Sequence, residues 1–204
     1  MGSEMCIRDR LLLIRHGRTA SNIEHLLDTA APGAPLDGVG LAQAEALADR
    51  LATEPIDAVY ASDLVRSQQT AAPIAARRSL DVTVREGVRE IQAGDDEMSA
   101  DWVRYLTTIM SWREDIDARI PGGESGREVL ARFDAVLEEA RAAGYRTIAV
   151  VSHGAMIRTW VATRASNLTV DFLRSTSLEN TVLIELDHDA DGSWTVLRWG
   201  DRRP

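Results

Sequence analysis

The feature that most constrains the fold is a continuous apolar run, Leu11–Ile14, which leads directly into Arg15, His16 and Gly17. A short apolar run of this kind is typical of a strand buried on both faces of a parallel sheet. Open α/β sheets bind their ligands at the carboxyl edge, where the residues after each strand emerge. The sequence therefore predicts a cation and an imidazole at that edge, followed by a glycine that permits a sharp turn.

The same arrangement recurs late in the chain, where the apolar run at 147–151 is followed by His153 and Gly154. If both strands belong to one parallel sheet, both histidines reach the same edge. A single histidine at a strand end is most often structural, but two built alike favour a shared site. His25 and His188 lack this context and are expected to be surface residues.

Alternating patterns organise the rest of the chain. Apolar residues at helical spacing predict helices over 39–51, about 64–77, near 100–110, over 124–143 and from 154 to about 163. Runs rich in strand-forming residues predict strands at 56–61, 82–84, 147–151, 181–186 and 193–199. Ser62 or Asp63 is expected to cap the second helix. The alternation predicts a largely parallel sheet covered by helices, an α/β sandwich.

We expect one domain over residues 11–204. The first ten residues, MGSEMCIRDR, show no periodicity and are expected to be a non-native or disordered leader. Cys6 lies in that leader and is not expected to act as a nucleophile. The segment 92–123 interrupts the repeat of strands and helices, as caps over sites often do. Its aromatic residues could equally do no more than pack it onto the body.

Composition excludes several classes of function. The net charge of −9 disfavours broad binding to nucleic acid or to an anionic membrane, since both need a basic surface. No apolar run approaches the roughly 18 residues that a transmembrane helix needs. A single cysteine excludes an intramolecular disulfide, and a cytoplasmic location is expected. A local cluster of arginines can still bind a small anion.

Arg66 lies near the start of a predicted helix that follows a strand. Helix starts offer unpaired N–H groups and the positive end of the helix dipole. Arg15 and Arg66 can each hold phosphate oxygens in a bidentate fork. With Asn22 and the two histidines they predict an anion site, and phosphoryl is the expected anion. Taken alone, Arg66 could be a solvated charge on a helix.

A carboxyl group is also expected at the site. Glu90 comes just after the third predicted strand. A carboxyl beside phosphate oxygens tends to stay protonated, which makes it a candidate general acid. Asp95, Asp96 and Glu97 are rivals that could also be solvated loop charges, and Glu90 is favoured over Glu97.

The ordered set of motifs resembles the histidine phosphatase superfamily, the phosphoglycerate-mutase-like or RHG group. The motifs are RHGRTASN at 15–22, SDLVRSQQTA at 62–71, VREIQAGDDE at 88–97, PGGES at 121–125 and VSHGAMIR at 151–158. The triplet RHG alone is a weak signal, whereas the set in this order and spacing is specific.

The resemblance implies a three-layer α/β/α sandwich with a mostly parallel central sheet. It implies that His16 is the nucleophile that becomes phosphohistidine and that Glu90 is the proton donor. The implied phosphate pocket contains Arg15, Arg66, His153, Asn22 and Gly154. No metal or organic cofactor is expected, and the implied partner is a small phosphorylated metabolite.

Three departures from the family pattern bear on the substrate. Arg18 stands where Glu or Gln is common, and Met98 follows Glu97 where Gly is common. Ala20-Ser21 replaces the frequent pairing with an aromatic residue before the Asn. We therefore expect Arg18, Glu97 and Met98 at the mouth of the substrate pocket.

The run Glu90–Gly94 is more like the phosphatase branch than the mutase branch, so a phosphatase is expected. A phosphoglycerate-mutase-type phosphotransferase, a non-catalytic module that binds a phospho-ligand and a metal-dependent hydrolase are the alternatives. The last predicted strand could leave a sheet edge through which two copies pair as a homodimer.

Overall fold

The architecture centres on one sheet. The computed structural model describes residues 9–189 and 192–204, and in them six strands pair in the order β3-β2-β4-β1-β5-β6. The strands are β1 (Asp9–Arg15), β2 (Ala58–Ala61), β3 (Val82–Val84), β4 (Thr147–Ser152), β5 (Leu183–His188) and β6 (Trp194–Trp199). Strands β1 to β4 run parallel, while β5 is antiparallel to β1 and β6 is antiparallel to β5. The predicted, mostly parallel sheet is confirmed.

Helices connect the strands and cover the sheet. They are α1 (Ala20–Ile23), α2 (Gly38–Arg50), α3 (Val65–Ala76), α4 (Val103–Ser111), α5 (Gly126–Ala142), α6 (Gly154–Arg164) and α7 (Val170–Ser175), with short 3-10 turns at Glu86–Val88 and Gly94–Asp96. Within the described ranges, every helix is too short or too polar to cross a membrane.

The apolar run of β1 is buried on both faces of the sheet. Successive side chains of a strand point to opposite faces. Leu11 and Leu13 join one apolar cluster, which includes residues of α5 and α6. Leu12 and Ile14 join a second cluster with residues of α2 and α3. The sheet is thus the middle of three layers, as expected for an α/β/α sandwich, and its central strands are apolar at consecutive positions.

The beginning of the sheet corrects one expectation. Strand β1 begins at Asp9, so Asp9 and Arg10 belong to the fold and not to a leader. The Arg10 guanidinium lies 2.7 Å from a Glu54 carboxylate oxygen and 2.6 Å from a Glu185 carboxylate oxygen. These two ion pairs hold the start of β1 in place. Residues 1–8, including Cys6, lie outside the described residues.

Two predicted boundaries were wrong for local reasons. The N-cap of α3 is Leu64, which makes no side-chain cap bond. Ser62 instead forms a 2.7 Å hydrogen bond with Nε2 of His153. Strand β5 begins two residues later than expected because Thr181 has a φ of 58°, a left-handed conformation that a strand cannot contain.

The backbone after β1 is packed closely against the start of α2. A Cβ added to Gly40 would lie 2.1 Å from the carbonyl oxygen of Arg18, whereas one added to Gly38 would meet nothing within 4 Å. This contact holds the loop that carries His16, since Gly17 lies directly before Arg18 in the chain.

We predict that Gly40→Ala lowers the free energy of unfolding by about 1–3 kcal/mol, the usual cost of overpacking. Gly38→Ala, two residues earlier, is the matched control and should be neutral or stabilising by up to about 1 kcal/mol. Urea unfolding of the two variants measures the difference. Equal stabilities would show that the helix and the loop are not in rigid contact.

Candidate active site

The register between β1 and β4 brings the two histidines together. Arg15 pairs with Ser152, so the residues that follow, His16 and His153, leave the sheet side by side. The backbone N–H of His16 donates to the carbonyl of Ser152 at 3.0 Å. The two imidazole centroids are 5.0 Å apart. The sequence expectation that both reach one edge agrees with this arrangement.

The hydrogen bond between His16 and Gly17 fixes which ring nitrogen carries the proton. Nδ1 lies 2.7 Å from the carbonyl oxygen of Gly17. Because a carbonyl can only accept, Nδ1 carries the proton in the neutral ring and Nε2 keeps a lone pair. Nε of Arg66 donates to that Nε2 at 3.2 Å. The side of the ring that bears the lone pair therefore faces the cationic part of the site.

Burial keeps both imidazoles neutral. The pKa of His16 is well below its usual 6.5, first because the ring is desolvated and then because Arg66 and Arg15 lie close by. Burial and the charge of Arg66 lower the pKa of His153 in the same way. An unprotonated, oriented imidazole is the form that can act as a nucleophile.

Arg66 is held by a residue that sequence reasoning missed. Its Nη2 donates to the backbone carbonyl of Asp28 at 2.6 Å, and its Nη1 lies 3.4 Å from the Asp28 carboxylate. That carboxylate also accepts from the Ser21 hydroxyl at 2.8 Å and from the N–H of Ala34 at 2.9 Å. No motif or spacing marked Asp28, which lies in an irregular loop.

Three buried polar atoms on residues next to His16 have no hydrogen-bond partners. They are Nε of Arg15, Nη1 of Arg66 and Nδ1 of His153. A buried polar group without a hydrogen bond is costly, so such atoms are rare unless a ligand uses them. Burial lowers the pKa of both arginines from its usual value, and a guanidinium so lowered is still cationic at neutral pH. These features fit a tetrahedral oxyanion.

The carboxylate of Glu90 lies against the first residues of α6. Its carboxylate oxygens accept from the backbone N–H groups of Met156 at 2.8 Å, Ala155 at 3.1 Å and Ile91 at 2.9 Å. Arg132 holds the adjoining backbone by donating to the Glu90 carbonyl at 3.0 Å. The carboxyl group is thus fixed in orientation from both sides.

These groups share one cavity of about 360 Å³. Arg15, His16, Asn22, Arg66, Glu90 and Gly154 line it, together with residues of the segment 92–123, namely Trp102, Tyr105 and Leu106. His153 is fully buried, contacts the His16 ring and is not among the lining residues. The aromatic side chains of the segment 92–123 therefore both pack it onto the body and face the cavity.

Asn22 occupies the first turn after His16. Its side-chain oxygen accepts from the N–H of Thr19 at 3.2 Å and from Nδ2 of Asn180 at 3.1 Å. Asn180 also donates to the carbonyl of His16 at 3.0 Å. Asn180 was missed because nothing in its sequence context, Glu179-Asn180-Thr181, suggests a site.

Three residues expected at the pocket mouth are not among those that line the cavity. The Arg18 guanidinium forms an ion pair with Asp37 at 2.8 Å. Glu97 accepts from the N–H of Thr29 at 2.8 Å and from that of Ala30 at 2.9 Å, and it thereby holds the loop that contains these two residues. Met98 is half exposed. Local hydrogen bonds and ion pairs, which the sequence does not reveal, determine these orientations.

Arg158 lines the cavity, and sequence reasoning did not select it. It follows Gly154 by four residues in α6, so helical periodicity places both on one face of the helix. That spacing within VSHGAMIR was a usable signal. Clusters of three or more His, Cys, Asp or Glu suited to a metal ion are absent from the part of the chain that the structure describes.

Comparison with known proteins decides the family. The model of the histidine phosphatase superfamily (branch 1) matches residues 11–202. The chain belongs to the histidine phosphatase superfamily. That assignment agrees with the resemblance of the motifs and with the sheet order.

Curated relatives of this histidine phosphatase superfamily member include phosphatases and mutase-like proteins. The adenosylcobalamin/alpha-ribazole phosphatase of Escherichia coli is 33% identical over 75% of this chain and 77% of its own length. Phosphoglycerate mutase-like protein 4 of Arabidopsis thaliana is 33% identical over 94% of this chain and 84% of its own length. A PE-PGRS family protein of Mycobacterium tuberculosis is 29% identical over 91% of this chain, which spans only 35% of that protein.

Solved structures share the fold. A mycobacterial glucosyl-3-phosphoglycerate phosphatase, solved with VO3, superposes with a TM-score of 0.78 at 26% identity. The match covers 95% of this chain and 100% of that one.

We predict that His16 stays neutral in the free protein well below pH 6.5, with its proton on Nδ1, because burial and two guanidinium groups oppose a second proton. Nitrogen-detected NMR of the imidazole from pH 7 to pH 5 measures this directly. The His16 Nε2 resonance should keep the shift of an unprotonated nitrogen. A ring that protonates near pH 6.5 would contradict the buried, cation-flanked environment.

Proposed function

We propose that this chain is a phosphatase that hydrolyses a small phosphomonoester through a phosphohistidine on His16. The observation that carries the proposal is the lone pair on Nε2 of a neutral imidazole, 3.2 Å from the Nε of Arg66. Phosphatases among the relatives support the class of enzyme.

In the first step Nε2 of His16 attacks phosphorus in line, and the bond between phosphorus and the ester oxygen breaks. Arg15, Arg66 and His153 would stabilise the equatorial oxygens, where charge accumulates. The partnerless atoms of these three residues are the groups suited to that role. Removing one such donor is expected to cost on the order of 10²–10³ in rate, by analogy with oxyanion-hole donors.

Glu90 would give its proton to the departing alkoxide. As a carboxylate it could then take a proton from water, which attacks the phosphohistidine and releases inorganic phosphate and free His16. Glu90 is favoured over Glu97 because Glu90 lines the cavity, whereas the Glu97 oxygens bind the Thr29 loop and Glu97 is not a lining residue.

We predict that p-nitrophenyl phosphate is hydrolysed in excess EDTA and that His16→Ala reduces the rate to background. The matched control is His188→Ala, because His188 pairs with Asp9 at the opposite edge of the sheet. The control should keep wild-type turnover. Release of p-nitrophenol is followed by absorbance.

Turnover that EDTA abolishes and that His16→Ala retains would overturn the phosphohistidine route in favour of a metal-dependent hydrolase. Tight binding of inorganic phosphate without turnover of any ester would instead favour a binding module. Interconversion of 2- and 3-phosphoglycerate faster than phosphate release would favour a mutase.

We predict that Glu90→Gln lowers kcat/KM for alkyl phosphates by about 10²–10⁴, the usual contribution of a general acid. The loss should be smaller for p-nitrophenyl phosphate, because p-nitrophenolate leaves without a proton. Glu97→Gln is the comparison variant and should leave the ratio of the two substrates unchanged. Equal losses for both substrates in Glu90→Gln would contradict the role as acid.

A further inference from the structure

Two chemical kinds of residue line the cavity. We call the arginines, His16 and Glu90 its floor and the apolar lining residues its outer wall. The apolar lining residues are Leu26, Leu27, Trp102, Tyr105, Leu106 and Leu178. A phosphoryl group on the floor would hold the organic part of its ester against this outer wall.

The aromatic residues of the outer wall present carbon atoms to the cavity. The indole N–H of Trp102 donates to the carbonyl of His25 at 2.7 Å. The hydroxyl of Tyr105 donates to the carbonyl of Ile91 at 2.9 Å. The two rings meet edge to face, with centroids 6.2 Å apart. Such ring edges and faces pack well against another flat apolar group.

The hydroxyl groups beside this wall also have protein partners. Ser21 donates to Asp28 at 2.8 Å, and the Thr29 hydroxyl donates to Glu97. The Thr19 hydroxyl accepts from the N–H of Asn22 at 3.2 Å. A leaving group rich in hydroxyls would therefore find few uncommitted partners here, and each unpaired polar group would cost free energy.

The charge of the cavity suits a single phosphoryl group. Three guanidinium groups line it, those of Arg15, Arg66 and Arg158, together with the carboxyl groups of Asp28 and Glu90. Both Nη atoms of Arg158 already donate to backbone carbonyls, at 2.7 and 2.8 Å. With Glu90 protonated, as its proposed role as acid requires, the three guanidinium groups and the Asp28 carboxylate leave two surplus positive charges. A phosphoryl dianion balances them, so a second anionic group on the substrate would lack a counterion.

We infer that the substrate is the phosphomonoester of an uncharged alcohol with an apolar, ring-sized carbon skeleton. This inference rests on the proposed phosphatase function and names the substrate class for the same site. The cavity of about 360 Å³ fits that size, at the lower end of the range for sites that hold small molecules.

Three primary-alcohol phosphates separate the effects of apolarity and charge. 2-Phenylethyl phosphate carries a ring, glycerol 3-phosphate carries hydroxyls, and 3-phosphoglycerate adds a carboxylate. Affinities are measured by calorimetry with the His16→Ala variant, which is not expected to turn the esters over, and kcat/KM is measured with the wild-type chain. We expect the affinity and the kcat/KM for 2-phenylethyl phosphate to exceed those for glycerol 3-phosphate roughly tenfold or more. Buried apolar groups can supply discrimination of that size. We expect 3-phosphoglycerate to rank last.

Two variants of α4 test whether the outer wall sets this order. Leu106 lines the cavity, and Met110 lies one turn later, is 74% exposed and is not a lining residue. Leu106→Arg should weaken the binding of 2-phenylethyl phosphate and improve the relative binding of 3-phosphoglycerate. Met110→Arg adds the same charge outside the cavity and should leave the order of the three affinities unchanged.

An equal or reversed order of the three affinities would overturn the inference, as would an equal effect of the two arginine variants. The affinity order tests the substrate class even without turnover. Loss of turnover for all three esters, with the affinity order intact, would instead overturn the proposed phosphatase reaction.

Discussion

The parallel pairing of β1 with β4 is the interaction on which the site depends. It places Arg15 opposite Ser152, so that the histidines that follow leave the sheet together. The run Leu11–Ile14 is apolar on both faces, so a shift by one residue would still bury it, and the polar residue before it must fix the register. Arg10 does so through its ion pairs with Glu54 and Glu185. The apolar run and the ion-paired Arg10 together therefore determine where the reactive ring lies. Local contacts, such as that between Gly40 and the Arg18 backbone, then fix the loop beyond it.

Burying two arginines beside two imidazoles is costly, and the structure offsets that cost only in part. Asp28 and the Leu178 carbonyl bind some of the guanidinium N–H groups. Nε of Arg15 and Nη1 of Arg66 keep no hydrogen-bond partner. This incomplete pairing is what a preorganised anion site requires, because donors already bound to protein groups could not stabilise a transition state. Burial first, and then the same positive charges, lower the pKa of His16 and keep it unprotonated.

Sequence patterns revealed the parts of the molecule that are repetitive or chemically distinctive. The buried runs of β1 and β4, the helix periods and the two histidine-glycine pairs led to the fold and to the residues on the cavity floor. Sequence reasoning missed Asp28 and Asn180 because both lie in irregular segments whose contact partners are distant in the sequence. Arg18, Glu97 and Met98 were expected at the pocket mouth because of sequence departures alone, whereas ion pairs and hydrogen bonds turn the first two elsewhere. The apolar outer wall depends on how the segment 92–123 folds back, which periodicity does not describe.

A covalent role for His16 is the central claim, and trapping the intermediate tests it most directly. The chain is mixed with excess p-nitrophenyl phosphate, quenched within one turnover under alkaline conditions, and digested for mass spectrometry. The predicted result is one phosphoryl group on the His16 peptide, formed at the rate of the p-nitrophenol burst and absent from His16→Ala. Steady turnover with no phosphorylated peptide, or a phosphoryl group on another residue at the same rate, would contradict the claim.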